Sequence, residues 1–495
     1  MKQIIPVITT GFLLAGIACT PTEKSNSIAI YQTSADGDQL TPVEQVEAKA
    51  SYVIQLDPTQ KKQVIQGFGG AFTESTCYLL NQISDSNRNK ILTDYFGSEG
   101  AEYSLCRTHM NSSDFSLGSY SYAPVENDTA LVNFSVEEDQ DDIIPAIQEA
   151  QKISEAGFNL IASPWTAPPW MKDNNAWFGG SLKKEYYPTW ALFFSKYAKA
   201  YQENGIDIWA FTVENEPIGN NSSWESMHYT PEEMSDFVKN YLAPQLNQDS
   251  VDAKLLMYDQ NKGEELIEWA SVYLKDEELL PHIYGTAVHW YNSTFSYFPE
   301  SLQKTHELAP TKHIIHTEAC IDADVPAWKD DSWYWSKKAT DWGYTWAKEE
   351  NKPMHPPYIP AHRYARDIIG GLNNHVEGWV DWNMVLNKQG GPNHVENWCG
   401  APILVDPETD QVYTTPIYYV MAHFSKFFRP GDQVIQHTNA SENVMVAAAS
   451  DSEGNIKVVL FNEAESAEIV HIKVGEQDIT TKIKAQAIQT ILISI

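Results

Sequence analysis

The chain has 495 residues, more than one compact core usually holds, so a large unit with a smaller companion is the starting expectation. Its 66 acidic against 34 basic residues give a formal charge of −32, a field that repels nucleic acid and anionic membrane surfaces and favours a neutral partner. Trp, Tyr and Phe make up 12% of the residues, which suits either a large aromatic core or a site that stacks on the apolar faces of sugar rings.

In chain order, Met1-Lys2 and an apolar run from Ile4 to Ala18 precede Cys19, the pattern of a secretory signal over residues 1–19. Cys19 stands where a bacterial lipoprotein carries its lipid, although Gly16 replaces the Leu usual three residues upstream; the alternative is a plain secreted protein. The apolar stretch is too short for a spanning helix, and the polar tract 20–27 reads as a tether. The expected location is therefore outer-membrane, cell-surface or periplasmic, with membrane contact only through Cys19.

Residues 28–62 contain short alternating runs such as Ser51 to Leu56, which read as strands of a second domain. Over 63–425, eight strand-like runs rich in β-branched and aromatic residues alternate with helical patterns. The strands are Val64–Gly70, Tyr103–Arg107, Asn159–Ser163, Ile208–Val213, Lys254–Tyr258, Tyr284–Val288, His313–His316 and Glu377–Trp382; Asp142–Ala156 and Pro231–Leu246 are two of the intervening helices. Eight such units predict an α/β chain folded as a (β/α)8 TIM barrel. Over 426–495, strands recur with turn signals between them, at 444–449, 456–461, 468–472 and 487–495. These predict an attached β-sandwich built from the N- and C-terminal strands together.

Four cysteines follow the signal: Cys77, Cys106, Cys320 and Cys399. Their irregular spacing argues against a zinc ribbon or a dense disulfide framework; Cys106 and Cys320 lie in apolar runs as small hydrophobes would, and one disulfide stays open.

Polar and aromatic residues gather where each barrel strand ends: Glu74; His109, Asn111 and Asp114; Trp165, Thr166 and Trp170; Asn215 and Glu216; Asp259 and Gln260; His289, Trp290 and Tyr291; Glu318; and Trp382, Asn383 and Asn387. Barrel enzymes build their sites at those ends. Two runs carry most of the chemistry, Val213-Glu214-Asn215-Glu216-Pro217 and Ile314-Ile315-His316-Thr317-Glu318-Ala319. Each sets a carboxylate at a strand end, and paired carboxylates are what glycosidic bond cleavage requires.

The chain resembles glycoside hydrolase family 30, the glucosylceramidase family, over roughly Gln66 to Pro430. The matching motifs, in order, are Gly67–Thr73, Ser113–Ser116, Ala162–Lys172, Glu214–Pro217, Ala287–Tyr291, Thr317–Cys320 and Gly378–Asn383. The resemblance implies a (β/α)8 barrel with a β-sandwich, and a retaining β-glycosidase that needs no cofactor and no metal. It makes Glu216 the general acid/base, holding its proton until it is delivered to the leaving oxygen, and Glu318 the nucleophile. It implies that Asn215 donates to the sugar 2-hydroxyl, and that Asp114, Trp165 and Trp382 grip the sugar. Arg107 would brace the nucleophile, His289 and Tyr291 would hydrogen-bond around it, and Asn397 would lie near the sugar.

The chain departs from the lipid-glucoside members between the seventh and eighth strands. Trp328, Trp333, Trp335, Trp342 and Trp346, with Tyr334, Tyr344 and Tyr358, occupy a long stretch suited to lining subsites for a sugar chain, or else to packing on the barrel or a second subunit. The preferred substrate is accordingly a β-glucan or gluco-oligosaccharide, β-1,6-linked first, with glucosylceramide as the alternative. Two rival classes are weaker. A metal-dependent hydrolase would need ligand spacing that His109, His289 and His316 lack, and a non-catalytic glycan-binding lipoprotein would be marked by a lost carboxylate. The oligomeric state is left open.

Overall fold

The structure, a computed structural model, describes Met1 and residues 27–50, 52–219, 223–293, 296–322, 360–438 and 441–494. The apolar leader, Cys19 and the aromatic-rich stretch at 328–358 lie outside the described residues. No helix among the described residues is long and apolar enough to cross a membrane.

Eight parallel strands close a barrel: Gly67–Phe72, Leu105–Met110, Asn159–Pro164, Ala210–Thr212, Lys254–Asn261, Gly285–His289, His313–Glu318 and Val376–Asn383. The eighth pairs with the first through Gly378 and Gly67 to complete the ring. All eight predicted strands are present, but several run further at the C-terminal end, through Arg107–Met110, Asp259–Asn261 and Thr317–Glu318. Polarity ended the sequence pattern there. The backbone stays in the ladder because those polar side chains find partners inside the barrel mouth.

Inside, Leu105, Ile161, Ala210, Leu256, Ala287, Ile315 and Val380 form one buried apolar cluster, one residue from each of seven strands. The glycine-rich first strand contributes close approach instead, since a Cβ on Gly69 would lie 2.1 Å from the Leu105 carbonyl oxygen. Helices shield the outside. Asp142 caps Ile143–Ile153, and Thr230 with Glu233 forms a capping box at the start of Pro231–Phe237. That second predicted helix is not uniform: a π-turn over Val238–Leu242 leads into Ala243–Gln248. Pro244 lacks the N–H that would continue the regular ladder, and the Ala243 N–H bonds back to the Val238 carbonyl.

The companion sheet has nine strands, and the chain's two ends build it together: Ile28–Ser34 pairs antiparallel with Ala487–Ile493. Tyr52–Val64 serves two neighbours, running antiparallel to Gln433–His437 and, through its first residues, parallel to Glu468–Val474. The sheet thereby folds over its own core of Ile54, Leu56, Ile435, Val446, Ile472 and Ile491. One joint to the barrel is polar. His423, on helix Pro416–Ser425, is buried between the hydroxyls of Thr33 and Thr490, 2.9 and 2.7 Å away. Burial pushes its imidazole down to about 3, so it stays neutral.

Candidate active site

The strand alternation that points the apolar ring inward places a different layer two residues later. Beyond Leu105, Ile161, Ala210, Ala287, Ile315 and Val380 come Arg107, Ser163, Thr212, His289, Thr317 and Trp382, all buried. On the fifth strand the ladder shifts register between Tyr258 and Gln260, and Tyr258 and Asp259 take φ values of +79° and +53°. This irregularity turns Asp259 into the mouth. Glu216, just past the fourth strand, also has positive φ, +50°, and its N–H donates to the Asp259 carbonyl at 2.9 Å. Backbone conformations of this kind cost energy in non-glycine residues and persist where the surroundings fix them.

Arg107 is the hub. Its Nη1 donates to Glu318 Oε2, its Nη2 to Asn215 Oδ1 at 2.9 Å and to Asp259 Oδ2 at 2.7 Å, and its Nε to Ser163 Oγ at 2.9 Å. The guanidinium lies 4.9 Å from the ring centre of Trp165 and 5.5 Å from that of Trp382. Those two rings stack on each other at 4.8 Å. They form a wall shared with Arg107 rather than two independent open platforms.

Around Glu318, Tyr291 donates its hydroxyl to Oε1 at 2.9 Å. His289 does not bond Glu318 directly: Nε2 is 3.0 Å from Asp259 Oδ1 and Nδ1 is 3.3 Å from Glu216 Oε1, with Glu318 at 4.0 Å. Burial alone would drive His289 down, but the charges of Glu318 and Asp259 and the hydrogen bonds to Asp259 and Glu216 carry it up to about 9. It is cationic at neutral pH and donates from both nitrogens. Burial works against ionised Asp259 too, yet Arg107 and His289 hold its carboxyl well below the usual carboxylate range. For Glu318, burial first and then the charges of Glu216 and Asp259 outweigh the pull of His289 and Arg107, so its carboxyl sits above the usual carboxylate range. Glu216, His289 and Glu318 each offer an atom within 4.8 Å of the others, the two carboxylates thus facing across a short gap.

The gap opens into a cavity of about 480 Å³ lined by Asp114, Trp165, Asn215, Glu216, Trp224, Gln260, Asn261, Tyr291, Glu318, Cys320, Trp382 and Asn397. Asn397 donates to Asp114 Oδ2 at 2.9 Å, while buried Asp114 Oδ1 has no partner among the described residues. Burial and the charge of Glu318 push the Asp114 carboxyl up to about 8. A buried polar atom left unsatisfied at a cavity wall is where a ligand hydroxyl would bond.

The residues to which the resemblance gives a role gather here, with Arg107 and His289 behind the cavity wall. Of the other strand-end residues, Glu74 and Asn387 stand apart: Glu74 accepts from the Leu117 N–H and Asn387 stabilises its own turn. The three histidines weighed as metal ligands point to different places. His109 is pushed down to about 4 by burial, accepts from the Glu74 N–H, and bonds the Asn111 carbonyl; His316 stacks on Trp379. Two residues emerge that the sequence did not assign. Asp259 reads in the sequence only as one polar strand end among many. Glu225, in the loop after the fourth strand, accepts from Ser112 at 3.0 Å, Ser119 at 2.6 Å and His394 at 3.1 Å, tying three loops of the rim together.

A family model described as the glycosyl hydrolase family 30 TIM-barrel domain matches residues 65–428, and the family's beta sandwich domain matches 432–491. The chain is 36% identical over 437 residues to mouse lysosomal acid glucosylceramidase, covering 86% of this chain and 80% of that one. It is 27% identical over 427 residues to an endo-1,6-beta-D-glucanase of Neurospora crassa, covering 82% and 80%. Among solved structures, the endo-beta1,6-glucanase BT3312 superimposes with a TM-score of 0.80 at 26% identity, over 94% of this chain and 99% of that one.

Proposed function

The chain belongs to glycosyl hydrolase family 30 and is a glycoside hydrolase, and from that premise we propose that it cleaves β-glucosidic bonds by double displacement with retention of configuration. Glu318 attacks the anomeric carbon and Glu216 protonates the leaving oxygen, then deprotonates the water that releases the sugar. The observation that carries this is the carboxylate gap of no more than 4.8 Å, too narrow for the water an inverting enzyme holds between its carboxyls. The charged partners divide unevenly. Arg107 contacts Asp259 and Glu318, and His289 contacts Asp259 and, at 3.3 Å, Glu216. Glu318 accepts from Arg107 and Tyr291, which hold a carboxylate pointed at the cavity.

The sugar sits against Asp114 and Asn397. Asn215 accepts from Arg107 through Oδ1, which leaves its amide N–H groups to donate to the sugar. On the Glu216 side, Trp224, Gln260 and Asn261 offer one aromatic face and two amides, a surface suited to a hydroxylated leaving group. The preferred substrate is a β-glucan or gluco-oligosaccharide, β-1,6-linked first, in keeping with what the fungal relative and BT3312 are named for. Glucosylceramide is the second reading, favoured by the higher identity to the mouse enzyme. We place the enzyme outside the cytoplasm on a lipid-bearing Cys19; in the parent organism, a Cys19→Ala variant that still takes up labelled palmitate would overturn that.

The test incubates the purified protein with β-linked glucans, aryl β-glucosides and glucosylceramide and follows the first-formed anomer by NMR. Retention with fastest turnover of β-1,6-glucan is expected; an inverted product would overturn the mechanism, and turnover of glucosylceramide alone would overturn the substrate. Glu216→Ala should lose rate chiefly on poor leaving groups, with azide restoring turnover of an activated aryl glucoside. Equal loss on good and poor leaving groups would remove Glu216 as the acid.

A further inference from the structure

Two of the described cysteines are inert by their surroundings. Cys77 and Cys106 are fully buried, and burial pushes both thiols upward, which suppresses the reactive thiolate. Cys320 and Cys399 are buried as well, but they differ in placement. Their sulfurs lie 3.1 Å apart, although 79 positions separate them in the chain. A short antiparallel ladder brings them there: Ile321 pairs with Gly400 and Asp322 with Cys399. Because strand side chains alternate, Cys320 projects from the same face as Asp322, and therefore from the same face as Cys399. A disulfide bond is about 2.05 Å long, so closure needs an approach of only about 1 Å, within reach of small χ rotations.

We propose that Cys320 and Cys399 form a disulfide that staples the rim of the active site. The position gives the bond its purpose. Cys320 follows Glu318 by two residues and lines the cavity, with the Tyr291 hydroxyl 3.5 Å from its sulfur. Cys399 follows Asn397 by two residues, and Asn397 holds Asp114. The bond therefore fixes the segment that carries Glu318 to the segment that carries Asn397, closing a long chain loop. The oxidant is a second disulfide, either of a small thiol such as glutathione or of a thiol–disulfide oxidoreductase. The Cys320 thiolate, reachable from the cavity, attacks one sulfur of that disulfide and expels the first thiolate. The Cys399 thiolate then attacks the Cys320 sulfur and expels the second. The two protein thiols lose two protons and two electrons, and the oxidant leaves as two thiols.

The test uses the full-length purified protein, equilibrated with oxidised glutathione and then, in a parallel sample, with excess dithiothreitol. Each is denatured, alkylated without further reduction and mapped by mass spectrometry. The oxidised sample should yield a peptide linking Cys320 to Cys399, with Cys77 and Cys106 alkylated. Melting should drop by about 3–6 °C on reduction, as expected for opening a long covalent loop in a chain of this size. Cys399→Ala should melt at one temperature in both conditions. If the oxidised wild type instead shows Cys320 and Cys399 both alkylated, or joined to other partners, the proposal falls, whatever the variant does.

Discussion

Two layers of the same barrel, two to three residues apart on the same strands, do opposite jobs. The lower layer is wholly apolar, with Leu105, Ile161, Leu256, Ala287, Ile315 and Val380 closing on one another. The upper layer sets Arg107 and His289 against Asp259 and Glu318, all buried. The lower one stabilises by removing apolar surface from water and needs no directional partner. The upper one is tolerable only because each charge meets an opposite charge and a hydrogen bond, so its geometry is over-determined. That difference teaches where the precision for catalysis comes from: a packed floor, and above it a polar lattice in which every member has its place.

The two layers should break differently. Asp259→Asn removes the shared anion between Arg107 and His289. We expect kcat to fall by about 10²–10³-fold, the scale of losing one positioned electrostatic partner, and stability to drop by about 3–5 kcal/mol. Steady-state rates and denaturant melts would measure both, and an Asp259→Asn enzyme with near-normal kcat would deny the lattice its role. Ile315→Ala, in the floor, should cost about 2–5 kcal/mol while the folded fraction keeps kcat within about threefold. A large loss of kcat with unchanged melting would erase the distinction between the layers.

Titration sharpens it further. His289 is cationic below about 9, so kcat/KM should fall tenfold per pH unit above that point, as the lattice loses one of its two cations. A His289→Gln enzyme should be slow at every pH and lack this limb; a wild type whose rate stays flat through pH 10 contradicts the assignment. A further effect sits at the joint to the sandwich. His423 has a folded value near 3, below its unfolded one, so its contribution is full above about pH 6.5 and is lost as pH falls. Stability should decline by up to about 1.4 kcal/mol per pH unit below 6.5, and His423→Gln should flatten that slope in acid melts.

Much of this was legible in the sequence because it is local. Runs such as Asn159–Ser163 and His313–His316 announce strands by side-chain type, and a carboxylate at the end of such a run has one place to go in a barrel. Asn215, Glu216 and Glu318 stand at such ends, whereas the roles of Arg107 and Asn397 come from the family resemblance alone. The sequence gives Asp259 no role, since its importance depends on a register shift against the sixth strand that no spacing reveals. Glu225 and His394 lie 169 positions apart and meet only after the rim loops close. The stacking of Trp165 on Trp382 and the meeting of Cys320 with Cys399 have the same origin, contact between strands distant in the chain. The predicted strands end short of the observed ones because a polar residue reads as the end of a ladder, whereas here the polar residues continue it.

The most direct measurement of the central claim is covalent trapping. A 2-deoxy-2-fluoro-β-glucoside with a good leaving group slows breakdown of a glycosyl-enzyme, and digestion followed by tandem mass spectrometry locates the sugar. The account predicts one fluoroglucosyl group per chain, on the peptide that carries Glu318, and none on Glu318→Gln. A label on Glu216 or any other residue, or no label despite turnover of the parent glucoside, would contradict it.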